Sequence, residues 1–262
     1  MTIFLHNPNQ QLPLQLLCKM IFLQFKGEKS SVLLLCDKNP IYSIFVKRLL
    51  SIFPDARFIH VVRDPRDVVN GFKKRFLKKN TFFLAHQWLR FNKKVDMVKQ
   101  KEPQRFYTIK YEDMVINPGK MLESLCAFLH IPFNTLMLQH NFAEKVKAYG
   151  GDEDLESFKK RHEGLLKPIN ASNIEKWKVE MSAPDILITE KITGSYAHIH
   201  YGYSIFSKSN NIVSPLQLKI FINKLRVHNW EVLTKLRVES PAFNSLWNFI
   251  KGKPTKERKK NG

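Results

Sequence analysis

The sequence predicts an α/β fold, a parallel sheet flanked by helices, followed by a basic, partly helical C-terminal extension. Three observations predict it. Short continuous apolar runs occur at Val32–Cys36, Phe58–Val62 and Phe106–Tyr111. Stretches of helical periodicity lie between and after them. The chain has 262 residues, 44% apolar and 12% aromatic, enough for one sizeable core and against disorder over most of its length.

Each element has its own reason. The apolar stretch Leu12–Phe25, interrupted by Lys19, is too short to span a bilayer and reads as a core helix or strand. The three runs are β-rich and continuous rather than alternating, which suits strands covered on both faces. The pattern Ile41–Phe53 carries Ile44, Phe45, Leu49 and Phe53 at helical spacing. Asp67–Lys79 follows, then Thr81–Lys101 with Leu84, Trp88, Phe91, Val95 and Val98 as a stripe. Pro118–Leu129 opens on a proline, tolerated in a first turn. Residues 150–172 read as a charged, mobile loop, and Ala183–His198 is a helix before Tyr201–Tyr203. The composition changes after Ser207: residues 208–262 hold 12 Lys or Arg against Glu231, Glu239 and Glu257. Leu218, Phe221, Leu225 and then Trp230, Leu233, Leu236 give short amphipathic stretches, and KGKPTKERKKNG is expected to be a solvated, disordered end. The expected division is therefore an α/β domain over 1–207 and an extension over 208–262.

Forty-three basic against 23 acidic residues leave a formal charge of +20, so the partner is expected to be anionic: a phosphorylated small molecule, nucleic acid or a membrane surface. Cys18, Cys36 and Cys126 are far apart and lack metal-ligand spacing, which suggests thiols in a reducing compartment. The opening MTIFLHNPNQ lacks the features of a signal peptide, so a cytoplasmic location is expected. No metal site is expected.

The richest segment is RFIHVVRDPRDVVNGFKKRF, residues 57–76. A strand ending at Val62 puts Arg63 at its carboxyl end, where open α/β sheets bind ligands. Asp64 suits an N-cap and Pro65 a first helical position, and the helix N-terminus favours anions. Arg63 can grip a phosphate with two charge-assisted bonds. Arg75, twelve residues on, is expected to share roughly one helix face with it. The plainer reading is a well-capped helix whose arginines pair with Asp64 and Asp67. Three further segments follow strands or loops: CDKNPIY at Cys36–Tyr42, YEDMVINP at Tyr111–Pro118 and KPINASNIEKW at Lys167–Trp177. Taken alone, they read as a surface lysine at a helix start, a core tyrosine beside acidic caps, and a loop entering a helix.

Together these segments resemble, in order and spacing over about residues 32–203, the motifs of the sulfotransferase family that uses 3′-phosphoadenosine 5′-phosphosulfate (PAPS), with likenesses to bacterial-type and tyrosylprotein members. The resemblance implies a P-loop NTPase-like fold and transfer of a sulfonate group from PAPS to a hydroxyl-type acceptor, without a metal. It implies that Arg63 binds the 3′-phosphate and that Arg75 adds a contact. Gly71 stands where the family usually has a phosphate-binding serine, which leaves only a backbone N–H. Lys38 matches the catalytic lysine at the bridging oxygen, a role suited to a compact ammonium. Tyr111 matches the adenine contact, and Lys167, Asn170 and Lys176 match PAPS contacts.

The family's opening strand and P-R-S-G-T-T loop, which cradle the 5′-phosphosulfate, have no counterpart in the 36 residues before Asp37. GEKSS at Gly27–Ser31 is the nearest string, but an apolar strand-like run follows it where a Walker loop needs a helix. An N-terminally incomplete domain is thus expected, and the general base is unassigned; His60 and His86 read as structural. Two alternatives stay open: a nucleotide-binding remnant without turnover, and an anion binder acting through the basic tail. The tail has no nucleic-acid motif, so no specific nucleic acid is expected, only a weak contact with an anionic membrane.

Overall fold

The computed structural model describes residues 16, 20, 34, 36–75, 80–138, 169–206 and 214–250. Within these, the elements are α1 (Tyr42–Ile52), β1 (Phe58–Val62), α2 (Pro65–Arg75), α3 (Thr81–Lys99), β2 (Phe106–Lys110), α4 (Tyr111–Ile116), α5 (Pro118–Leu129), α6 (Trp177–Glu180), α7 (Ala183–Tyr201), α8 (Ser214–Glu239) and α9 (Pro241–Ile250). The described sheet is the parallel pair β1–β2. Two compact units divide the chain: residues 1–58 with 93–106, and residues 59–92 with 107–262.

In the first unit, Val46 and Leu50 of α1 pack with Val95 and Phe106, and half-buried Phe58 and Val98 complete the cluster. Phe58 and Phe106 stack at 5.0 Å. Arg105 ties the α1–β1 turn by donating to the carbonyls of Phe53 (2.5 Å) and Ala56 (3.1 Å).

In the second unit, Val62 at the end of β1 packs with Trp88, Ala197 and Tyr203. Val69 of α2 packs with Leu84 and Ala85, against Met181 and Ile192. Ser182 caps α7, accepting from the Asp185 N–H at 3.4 Å, and Gly202 ends the helix at φ 72°, a conformation glycine adopts without strain.

Several boundaries differ from the expectation. Leu34 and Cys36 are exposed and lie outside any strand; residues 32, 33 and 35 lie outside the described set. Ile59 and Val61 of β1 are 38% and 62% exposed, so this strand alternates rather than being covered on both faces. Strand side chains alternate with period two, and among the described residues nothing covers the face these two share. Tyr111 begins a helix rather than ending a strand. The basic extension forms one 26-residue helix, α8, and a second, α9, instead of short stretches. The GEKSS turn, most of the 150–172 loop and residues 251–262 lie outside the described residues.

Candidate functional site

The site grows from the end of β1. Val62 is 1% exposed, and Arg63 follows at the strand's carboxyl end. The Trp88 indole N–H donates to the Arg63 carbonyl at 3.0 Å and fixes the backbone there. The Asp64 N–H donates to Glu112 at 3.0 Å, and the other oxygen of Glu112 accepts the Tyr203 hydroxyl at 2.7 Å. Burial and that bond push the Tyr203 phenol well above its ordinary value, so it remains a protonated donor and is unsuited to act as a base.

Asp64 caps α2 as its sequence suggests, with Oδ1 accepting from the Arg66 N–H at 2.8 Å and Pro65 in the first helical position. The two arginines of R-D-P-R then diverge. Arg66 is buried, 5% exposed. It bonds both oxygens of Asp64 (2.9 and 2.6 Å) and Glu190 (2.7 Å), and lies 3.8 Å over the Trp177 ring. Burial works against its charge, but the two carboxylates more than offset this and its proton is held more tightly than usual. Arg66 is a structural bolt.

Arg63 is held differently. Its guanidinium lies 4.5 Å over the Tyr111 ring, donates to the Asn173 carbonyl at 2.5 Å and sits 3.8 Å from Asp67. Its side chain keeps 28% exposure, and its Nε is buried without a hydrogen-bond partner. A positioned guanidinium with an unused donor, partly open to solvent, suits a charge-assisted contact to an oxyanion.

Asp67 brings the distant loop to this corner. Its carboxylate accepts from the backbone N–H groups of Glu175 (2.9 Å) and Trp177 (3.0 Å). Glu175 takes the left-handed conformation at φ 56°, which turns both N–H groups toward that carboxylate. Burial holds the Asp67 carboxyl above its ordinary value, opposed by the Trp177 N–H, Arg63 and the Glu175 N–H.

The sequence-predicted residues therefore separate. Arg63 and Tyr111 are in contact. Asn170 and Lys176 are exposed on the loop clasped by Asp67; Asn170 Oδ1 accepts from the Ser172 N–H at 3.0 Å. Lys167 lies outside the described residues. Gly71 is exposed six residues into α2, with nothing within 4 Å of an added Cβ. At that depth its N–H belongs to the helical ladder, so the backbone contact expected of it is already spent inside the helix. Arg75 ends α2. Arg63 precedes that helix, so the two arginines do not share a helix face; about 15 Å of helix separates Pro65 from Arg75. Lys38 is exposed just before α1, where Asp37 accepts the Tyr42 hydroxyl; it belongs to the first unit and Arg63 to the second. His60 contacts Asn92 (2.9 Å) and His86 contacts the Ile220 carbonyl (3.0 Å), which are structural roles. Sequence reasoning missed Asp67 as the clasp, Asn173 as the backbone acceptor and Glu112 as a tie. The only local signals were the acidic residues themselves, which read equally well as caps.

A parallel pair of strands, the first followed at its carboxyl end by a partly open arginine and a helix, defines an α/β protein. The model of the sulfotransferase family matches residues 5–135, and the chain belongs to that family. It is 26% identical over 231 residues to rat protein-tyrosine sulfotransferase 1, covering 86% of this chain and 58% of that one. It is 31% identical over 115 residues to the omega-hydroxy-beta-dihydromenaquinone-9 sulfotransferase Stf3 of Mycobacterium bovis, covering 38% and 29%. The sulfotransferase domain of the curacin biosynthetic pathway superposes with a TM-score of 0.51 at 24% identity, covering 70% and 67%, a likeness of fold. The chain spans about half the length of the curated relatives it matches. Among the described residues no cluster of His, Cys, Asp or Glu could hold a metal, and no helix is long and apolar enough to cross a membrane.

Proposed function

We propose that this chain is the nucleotide-binding part of a PAPS-dependent sulfotransferase that transfers a sulfonate group to a hydroxyl acceptor. The observation that carries the reading is Arg63: a guanidinium at the carboxyl end of β1, braced by Tyr111 and Asn173, with a buried donor left over. PAPS would supply the sulfonyl group and a phosphate leaving group. Arg63 would bind the 3′-phosphate, and Tyr111 would carry the adenine beside it. Asn170 and Lys176 would hold phosphate oxygens from the clasped loop, Lys167 would add a further phosphate contact, and Arg75 a lesser one. Lys38 would stabilise charge on the leaving oxygen. The names of the two curated relatives point to a protein tyrosine and an omega-hydroxy-dihydromenaquinone as their acceptors, both hydroxyl compounds, which supports a hydroxyl acceptor here.

The test is sulfonate transfer from labelled PAPS to a tyrosine-containing peptide and to a hydroxylated quinone, with wild type and Lys38→Ala. Lys38→Ala should lower kcat by roughly 10²–10³-fold while leaving 3′,5′-ADP affinity within a few-fold. Nucleotide binding by a folded wild-type chain without transfer to either acceptor would replace this reading with a binding-only protein. Equal kcat in wild type and variant would remove Lys38 from the chemistry.

A further inference from the structure

The outer face of α8 matches nothing in the proposed nucleotide site. Its inner seam is fully engaged. Asn223, Val227 and Glu231, spaced four residues apart, are 5%, 1% and 2% exposed. His86 bonds the Ile220 carbonyl, Arg90 pairs with Glu231, and Trp230 packs against Phe83 and Phe91 at 6.1 and 6.0 Å. The helix is therefore fixed in rotation, and its opposite face is set by geometry. At 100° per residue, Leu218, Phe221, Ile222, Leu225, Val232 and Leu236 fall within about 100° of arc, centred opposite that seam. They are 59%, 55%, 39%, 46%, 41% and 41% exposed. The stripe runs about 27 Å along the axis. Apolar side chains scattered singly on a surface need no explanation, but six on one face, a rail interrupted by Asn229, do.

The flanks indicate what it fits. Lys219 and Arg226 lie along one edge of the rail, and Lys224 and Lys235 along the other, by the same angular reckoning; Arg237, also on the first edge, is engaged by Asn244 and the Trp247 ring of α9. The helix has only two acidic residues. Glu231 is buried and already paired with Arg90 and Lys235, and Glu239 is at the last position. An apolar rail with basic edges on both sides has the form of a helix lying in the headgroup boundary of an anionic bilayer. There the Leu and Phe side chains enter the acyl region while the Lys and Arg stems extend to the phosphates. A second copy of the chain fits poorly, because the rail of each copy would bring like charges together on both edges.

We propose that α8 is a membrane-docking element that holds this protein on anionic lipid through the rail Leu218–Leu236 and its basic edges. This proposal is independent of nucleotide binding and of turnover. The chain's net charge of +20 adds long-range attraction to the same surface.

The experiment is co-sedimentation of the full chain with vesicles of phosphatidylcholine alone and of phosphatidylcholine mixed with phosphatidylserine, at low and physiological salt. Wild type should bind the anionic vesicles, bind neutral ones poorly and lose affinity as salt rises. Phe221→Ser with Leu225→Ser removes two exposed apolar side chains and leaves the inner seam and every basic residue in place. It should keep the wild-type melting temperature and weaken vesicle binding by at least about tenfold. Lys219→Glu with Arg226→Glu should weaken it by a similar or larger factor, since each basic residue near the surface is worth roughly five-fold in partition. Failure of wild type to bind phosphatidylserine vesicles would overturn the proposal. So would full vesicle binding by the serine double variant, which would assign the attraction to charge elsewhere. A self-association lost in the serine variant while vesicle binding persists would assign the rail to a second copy instead.

Discussion

The two ends of helix α2 arise from one continuous string of sequence and are built on opposite principles. At the N-terminal end, Asp64, Arg66 and Asp67 are nearly inaccessible, and each side chain is used at least twice. At the C-terminal end, Gly71, Lys74 and Arg75 are exposed, and Lys74 makes a solvent-facing pair with Glu180 at 2.8 Å. The difference teaches where a partly open charge acquires meaning. Among exposed lysines and arginines, an available N–H is ordinary. Beside a buried, hydrogen-bonded network, the unpartnered Nε of Arg63 stands out, because that network, Asp67 included, fixes the guanidinium while leaving the side chain 28% exposed.

The strongest way to break the comparison is Arg66→Ala. It leaves the Asp64 and Glu190 carboxylates buried without their cation, and should cost about 3–5 kcal/mol, read as a drop in denaturant midpoint. Lys74→Ala at the other end removes an exposed pair and should change stability by less than about 1 kcal/mol. Equal effects would erase the distinction.

The pH dependence sharpens it, because the two ends should slope in opposite directions. The folded-state value of Asp67 is raised, first by burial, so its contribution is full below the unfolded carboxyl value of about 3.9 and is lost as pH rises through the folded value. Glu180 is lowered, first by its bond to Lys74 and then by Asn70, so its contribution is present above about 4.3 and is lost as pH falls through the folded value. Urea titrations across this range should show that Asp67→Asn flattens a decline toward neutral pH. Glu180→Gln should flatten a decline toward acid. The same sign for both would contradict the assigned environments.

Gly71→Ser should be the gentlest change. The added Cβ meets nothing within 4 Å, and serine suits a helix interior better than glycine by roughly 0.5 kcal/mol, so the melting temperature should rise slightly. If the position faces the 3′-phosphate as the family resemblance implies, the hydroxyl also tightens 3′,5′-ADP binding by about two- to ten-fold. Unchanged affinity would place Gly71 outside the site.

Much of this was legible in the sequence, for identifiable reasons. β1 and α5 fall where their apolar runs and the proline at residue 118 place them. Asp64 and Pro65 announce the start of α2 because capping is a local interaction between neighbouring residues. The division of labour between Arg63 and Arg66 was not legible. It depends on Asn173, Trp177 and Glu190, more than a hundred residues away, and no local pattern carries that information. The length of α8 was hidden for another reason. Its apolar residues lie on both its buried and its exposed faces, so Phe221 and Leu225 on one side and Val227 and Trp230 on the other blur the period that marks an amphipathic helix.

The central claim is that Arg63 is the anion-binding member of the pair, held ready by a corner that Arg66 keeps folded. Calorimetry of 3′,5′-ADP binding to wild type and Arg63→Ala tests it most directly. Arg63→Ala should lose at least about tenfold in affinity, the scale of charge-assisted hydrogen bonds, with a stability change of only about 1 kcal/mol. Undiminished affinity in a folded Arg63→Ala protein would contradict it.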